Sequence, residues 1–267
     1  MSIKHNIKTK YMKNTIMFIA FLFYLNIYAQ KNVDAKTIIK DIKNGKDITI
    51  TNATISGVLD FTFMKDALPK LPKRKKWWNN GGSNTIEKQI ISKISFINCT
   101  FNDDVLAYIP HEESGYTFIA NFEKEVVFKE CTFNEKAMFK YSDFDKNTDF
   151  TNSKFNDDTT FKYAKFDKGI AFKNTFFNKT ATFKYAKFKK FVSFYNSIFN
   201  ESAIFKYTEF NNGVSFENVK FKEDLNIKYT KVSGDFNINN MDVAYDIDAK
   251  YTKINGKSFN KYVLKNY

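Results

Sequence analysis

The sequence predicts an all-β solenoid, wound so that each coil touches only its neighbours. Three observations carry this. Phenylalanine recurs from Phe128 to Phe221 with gaps that alternate five, six, five, six without a break, and no helical or simple strand period gives that spacing. Two residues before each Phe stands a small or β-branched residue, among them Ser153, Thr159, Ala164, Ile170, Thr175 and Ala186. Residues two apart on extended backbone share a face, so each small residue and its ring point the same way. Finally, two columns share one constant, longer step: Asn at 152, 174, 196, 218 and 240, and a Lys-Tyr pair beginning at 140, 162, 184, 206, 228 and 250. That step, from Asn152 to Asn174, is one coil with four inward corners, and the Asn and Tyr columns lie on opposite sides. Polar residues such as Asn134, Asp145, Asn156 and Asp167 follow the Phe positions as turn formers that tolerate left-handed backbone.

Units such as Ala164-Lys165-Phe166, Ala186-Lys187-Phe188 and Ser153-Lys154-Phe155 resemble the bacterial pentapeptide-repeat family, whose unit is a small residue, a polar residue, Leu or Phe, and two turn residues. The likeness spans roughly residues 48 to 254. It implies a right-handed, four-sided (quadrilateral) β-helix. Alternate units here carry six residues instead of five, which should make two corners of each coil bulge. The stretch from Ile55 to Asp60 also resembles the opening of secreted members.

The chain has 267 residues, and its aromatic content of 18%, mostly Phe, is what such a ladder needs. Residues 1–29 read as a signal peptide. Lys4, Lys8, Lys10 and Lys13 precede an apolar run from Ile16 to Leu25, and Ile27-Tyr28-Ala29 offers a cleavage site. The run is short for a bilayer span, which takes about 20 residues. Export implies a periplasmic, outer-surface or secreted location. Removing 1–29 subtracts four Lys and no acid, so the formal charge of +13 becomes +9.

Residues 34–45 read as a capping helix: Asp34 is the N-cap, Val33 and Ile38 form a hydrophobic staple, and Gly45 ends it. An open β-helix end exposes unpaired strand edges, so the helix serves as a lid. The β-helix proper spans 46–254. Ile50 to Ile55 matches the Asn side, but the next matching unit, Phe96 to Phe101, comes more than two coil lengths later where one is due. This places a long insertion within about 66–93, and a second insertion of ten within about 107–116. The units count to about eight coils. Residues 255–267, opened by the turn pair Asn255-Gly256, form the C-terminal cap.

The chemistry available is sparse. After residue 29 the chain holds one His, His111, and one Arg, Arg74, which excludes a histidine triad or zinc cluster of any usual form. No catalytic residue, metal ligand or cofactor is expected. Cys99 and Cys131 occupy equivalent inward positions in adjacent coils, where they are either a stacked disulfide or two small core thiols.

Two surfaces suit a ligand. One is the ladder of Lys140, Tyr141, Lys162, Tyr163, Lys184, Tyr185, Lys206, Tyr207, Lys228 and Tyr229, with rings for stacking and Lys for charge, or simply a soluble wall. The other is the inserted loop, where Lys73, Arg74, Lys75, Lys76, Trp77 and Trp78 gather both Trp and the Arg. Basic residues beside Trp fit an anionic lipid surface or an acidic glycan. The expected function is a non-enzymatic exported scaffold, an envelope-associated binding or structural protein whose partner is an anionic lipid, acidic glycan or envelope protein. The alternatives are a β-helix enzyme acting on polysaccharide, or a nucleic-acid mimic. The family contains such mimics, but they need an acidic surface, and this chain is basic; export also disfavours nucleic acid.

Overall fold

The computed structural model describes residues 31–72 and 84–266. The fold below is that of Asn32–Tyr267. The signal-peptide reading of 1–29 lies outside the described residues.

The x-Phe pairs form two-residue strands such as Lys154–Phe155, Lys165–Phe166 and Phe176–Phe177. Each pairs in parallel with its equivalent one coil on, as Phe133 with Phe155 and Phe155 with Phe177. Among the described residues nearly every pairing is parallel, and the strands collect into four sheets of nine, ten, eight and eight strands. A two-residue strand cannot hold register alone. Here each amide donates to a neighbouring rung: Phe161 N reaches Thr182 O at 2.8 Å, and Lys154 N reaches Cys131 O at 2.8 Å.

The Phe side chains fill the interior, and those of the repeating column from Phe128 to Phe221 are at most 1% exposed. Within a column they stack nearly parallel, as in Phe161–Phe183 at 5.2 Å and 9° and Phe183–Phe205 at 4.8 Å and 3°. Between columns they meet edge to face, as in Phe172–Phe183 at 5.4 Å and 82°. Both arrangements suit the ring quadrupole.

The small inward residues do more than leave room for rings. Buried hydroxyls donate to carbonyls of the preceding rung: Ser153 to Phe128 O at 2.5 Å, Thr208 to Phe183 O at 2.8 Å, and Thr252 to Ile227 O. A buried hydroxyl without a partner is costly, so this column doubles as a set of pins along the rod.

Backbone geometry corrects the expectation for the corners. The left-handed residues are not the polar residues after each Phe in the six-residue steps. They are the Asn column (Asn152, φ 59°; Asn174, 54°) and the Tyr column (Tyr163, φ 61°; Tyr185, 61°), all within five-residue steps. The six-residue steps have enough chain to turn without a positive φ, except at Gly57, Gly213 and Gly234.

The insertions are not plain loops. They lengthen the pairing interval from Ile48 to Ile94 and from Ile94 to Val126, after which Val126 to Thr148 settles to the regular coil step. Part of the first insertion forms strand Thr85–Ile90, which runs parallel to Tyr116–Phe122 over six residue pairs. The second folds into an antiparallel hairpin, Tyr108–His111 against Tyr116–Phe122.

At the N-terminal end, helix Ala35–Lys43 begins at Asp34, whose side chain accepts from Lys36 N at 2.8 Å. Ala35, Ile38 and Ile42 are buried against the first coil. At the other end Asn255 and Gly256, both at positive φ, turn Lys253–Ile254 back on Lys257–Ser258. Helix Phe259–Asn266 follows, and Phe259 and Tyr262 pack on Phe236 at 6.3 and 5.6 Å.

Candidate functional site

One corner of each coil carries a Lys followed by a left-handed Tyr. Left-handed backbone costs an ordinary L-residue about 1–2 kcal/mol, so six tyrosines at φ 58–65° need compensation. The rings supply it. Tyr141, Tyr163, Tyr185, Tyr207, Tyr229 and Tyr251 stack in one file at 4.8, 4.6, 4.7, 4.6 and 4.8 Å between centroids. Each Lys folds back over the ring that follows it, with Nζ 5.3 Å from the Tyr163 centroid and 5.2 Å from that of Tyr185. A ring pair contributes about 0.5–1.5 kcal/mol and an exposed cation–π contact about 0.5–1. Together these offset the backbone cost. Tyr185→Asn, which loses the stack but tolerates the left-handed turn, should therefore be milder than Tyr185→Val by about 1 kcal/mol in urea unfolding.

This stacking narrows what the ladder can recognise. At 4.6–4.8 Å the faces of the internal rings are covered by their neighbours, so a sugar ring cannot lie on them. What the corner presents is ring edges, hydroxyls and ammonium groups. Among the described residues Lys140, Lys162, Lys184 and Lys206 form no ion pair, whereas Lys228 lies 3.7 Å from Asp248. Burial and the flanking charges of Lys140 and Lys184 hold the Lys162 ammonium below its usual pKa. Burial, then the neighbouring hydroxyls of Tyr141 and Tyr185, raise that of Tyr163. Beside the ladder runs a groove of about 330 Å³, lined by Tyr141, Tyr163 and Tyr185 on one side and Asp143, Lys165 and Lys187 on the other.

The opposite left-handed corner solves the same problem with amides. Asn174 Nδ2 donates to Asn152 Oδ1 at 2.9 Å and Asn196 to Asn174 at 2.9 Å, so these amides satisfy one another. The two corners thus carry different side chains, stacked rings and linked amides, on a like backbone.

Residues that the sequence reading passed over extend the ladder. Tyr108 caps it, with its ring 5.9 Å from Tyr141 and its hydroxyl accepting from Lys140 Nζ at 3.0 Å. The second candidate surface, Lys73, Arg74, Lys75, Lys76, Trp77 and Trp78, lies outside the described residues. Cys99 and Cys131 are both buried as free thiols, and each Sγ lies 3.4 Å from a carbonyl oxygen, Ile97 O and Phe96 O respectively. Burial pushes the Cys131 thiol well up. Among the described residues no three His, Cys, Asp or Glu side chains gather as a metal site.

A family model described as pentapeptide repeats (nine copies) matches residues 120–165, 139–187 and 183–231. Residues 120–231 are pentapeptide repeats. The match falls on the region where the coil register is unbroken, and the stacked parallel rungs are the fold those repeats build. No curated protein and no solved structure matches the chain. Over that region the repeats build a scaffold of stacked rungs.

Proposed function

We propose that this protein is an exported, non-enzymatic scaffold whose Lys–Tyr corner holds an extended acidic glycan of the cell envelope. One observation carries the reading. Lys140, Lys162, Lys184 and Lys206 repeat once per rung in ring-packed positions with no carboxylate among the described residues to neutralise them. Like charges one rung apart repel by roughly 1 kcal/mol in water before screening. A polyanion laid along the corner would relieve that repulsion at every rung. Because the ring faces are occupied, recognition runs through charge and hydroxyl edges, which favours an acidic polymer over a neutral one. Export is supported by the basic and apolar leader at 1–29.

The test is binding to polygalacturonate at several salt concentrations. The parent should bind with an affinity that falls as salt rises, and Lys140, Lys162, Lys184 and Lys206→Gln together should weaken binding at least tenfold. The control is Lys154, Lys220 and Lys222→Gln, away from the ladder, which should matter little. Equal binding by the ladder variant and the parent would remove the basis of this reading. Export is checked separately by the first residue of protein recovered from outside the cytoplasm, expected at Gln30.

A further inference from the structure

Helix Ala35–Lys43 closes the first coil chiefly with one of its faces. Ala35, Ile38 and Ile42 go to the core, while Lys36, Ile39, Lys40 and Lys43 form a second stripe at helical spacing. Within that stripe Ile39 packs partly on the core and Lys43 reaches Asp66, while Lys36 and Lys40 are exposed. The stripe faces a cavity of about 570 Å³, inside the about 300–1,000 Å³ range of small-molecule sites.

The cavity is lined by apolar and cationic residues. Ile39, Val58, Phe63, Met64, Leu106 and Ile109 line it. Val58 is 47% exposed, an unusual position for a valine beside a groove when the ladder core is sealed. Lys36, Lys40 and Lys65 also line it, all exposed and, among the described residues, without an ion pair, although Lys65 is close enough to Asp60 to act on its charge. Lys43 is paired with Asp66, and its Nζ also lies 5.4 Å from the Phe63 centroid. The remaining acid, Asp60, is turned to its own chain: Oδ1 accepts from Thr62 N at 2.8 Å and from Thr62 Oγ1 at 2.6 Å. Phe63 itself is held at φ 52°, a strained setting for a bulky residue, and this puts its ring in the wall.

We infer that this groove binds a single-chain amphiphile with an anionic head, a fatty-acid-like carboxylate whose tail meets the apolar lining while Lys36, Lys40 and Lys65 hold the head. Concavity, apolar lining and an excess of lysines over acids among the lining residues argue together for that class. A neutral amphiphile leaves the lysines unanswered, and a two-chain lipid is too large for the volume. The site is remote in sequence from the Lys–Tyr ladder and does not rest on the function proposed for it.

Calorimetric titration of the full protein with sodium dodecanoate, kept below its micelle concentration, tests this. One equivalent should bind, and dodecanol should bind at least fivefold more weakly. Val58→Asp and, separately, Lys36→Glu with Lys40→Glu change exposed side chains only, and each should weaken dodecanoate at least tenfold with the circular dichroism spectrum unchanged. Absence of binding, or binding indifferent to both variants, overturns the assignment. A groove covered by a second copy would appear as dimerisation abolished by Val58→Asp without dodecanoate uptake, which also overturns it.

Discussion

Phe183→Ala should lower the free energy of unfolding by about 3–5 kcal/mol, the usual loss for a fully buried Phe. The ring is 0% exposed. It stacks on Phe161 and Phe205 at 5.2 and 4.8 Å and meets Phe172 and Phe194 edge-on at 5.4 Å each. Its removal opens a hole in the middle of a column that neighbouring rungs cannot close, because their backbones are tied by rung-to-rung hydrogen bonds. For a chain of this size the midpoint of thermal unfolding should fall by roughly 10 °C. Lys184→Ala, one residue on, should cost under about 1 kcal/mol, the value of its exposed contact with Tyr185. Comparable losses from the two variants would refute the inward placement of the Phe column.

The second large effect is expected where no side chain exists. Gly213 and Gly169 are equivalent residues two rungs apart on the same corner, yet alanine should be tolerated at only one. A Cβ on Gly213 would lie 2.6 Å from Asp235 O and 2.9 Å from Asp235 N, and φ there is +89°. Those atoms belong to the backbone of the next rung, where Asp235 O also accepts from Val214 N at 2.8 Å. Relief of the clash means parting the rungs, so Gly213→Ala should cost about 3 kcal/mol from overpacking and left-handed strain combined. At Gly169 the nearest atom is Asn147 Oδ1 at 3.6 Å and φ is not positive. Gly169→Ala should be neutral or stabilising by up to about 1 kcal/mol through the unfolded chain. Urea unfolding of both variants decides it, and equal stabilities would contradict the corner geometry.

What could be read from the sequence was whatever the coil repeats. Phe128 to Phe221 and the Lys–Tyr pairs recur in every rung, so their spacing alone implies a solenoid and one basic side. The left-handed tyrosines were not legible, because Tyr has no preference for that backbone; only the stack and the Lys above it make it affordable. Tyr108 escaped because the second insertion lengthens its coil, and because it stands in register with Lys140 instead of Tyr141, two places after the paired Leu106 and Met138. Strand Thr85–Ile90 escaped for another reason: its partner, Tyr116–Phe122, lies beyond the other insertion, and no local pattern links them. The inward hydroxyls of Ser153 and Thr208 read as small residues, since their acceptors, Phe128 O and Phe183 O, sit in the preceding rung. The groove behind Lys36, Ile39 and Lys40 depends on how the capping helix seats, which spacing does not reveal.

The claim on which the ladder, its charge and its proposed ligand all depend is that one coil runs from each Lys–Tyr pair to the next. A single distance tests it. Spin labels on Lys140→Cys and Lys228→Cys, with Cys99→Ser and Cys131→Ser to silence the buried thiols, then sit four coils apart on one corner. Four rungs at strand spacing separate the attachment points by about 19 Å. Pulsed dipolar spectroscopy should therefore return a narrow distribution centred near that separation, broadened only by the label arms. If a coil took half as much chain, eight rungs would intervene, and a distance of about 38 Å would contradict the account.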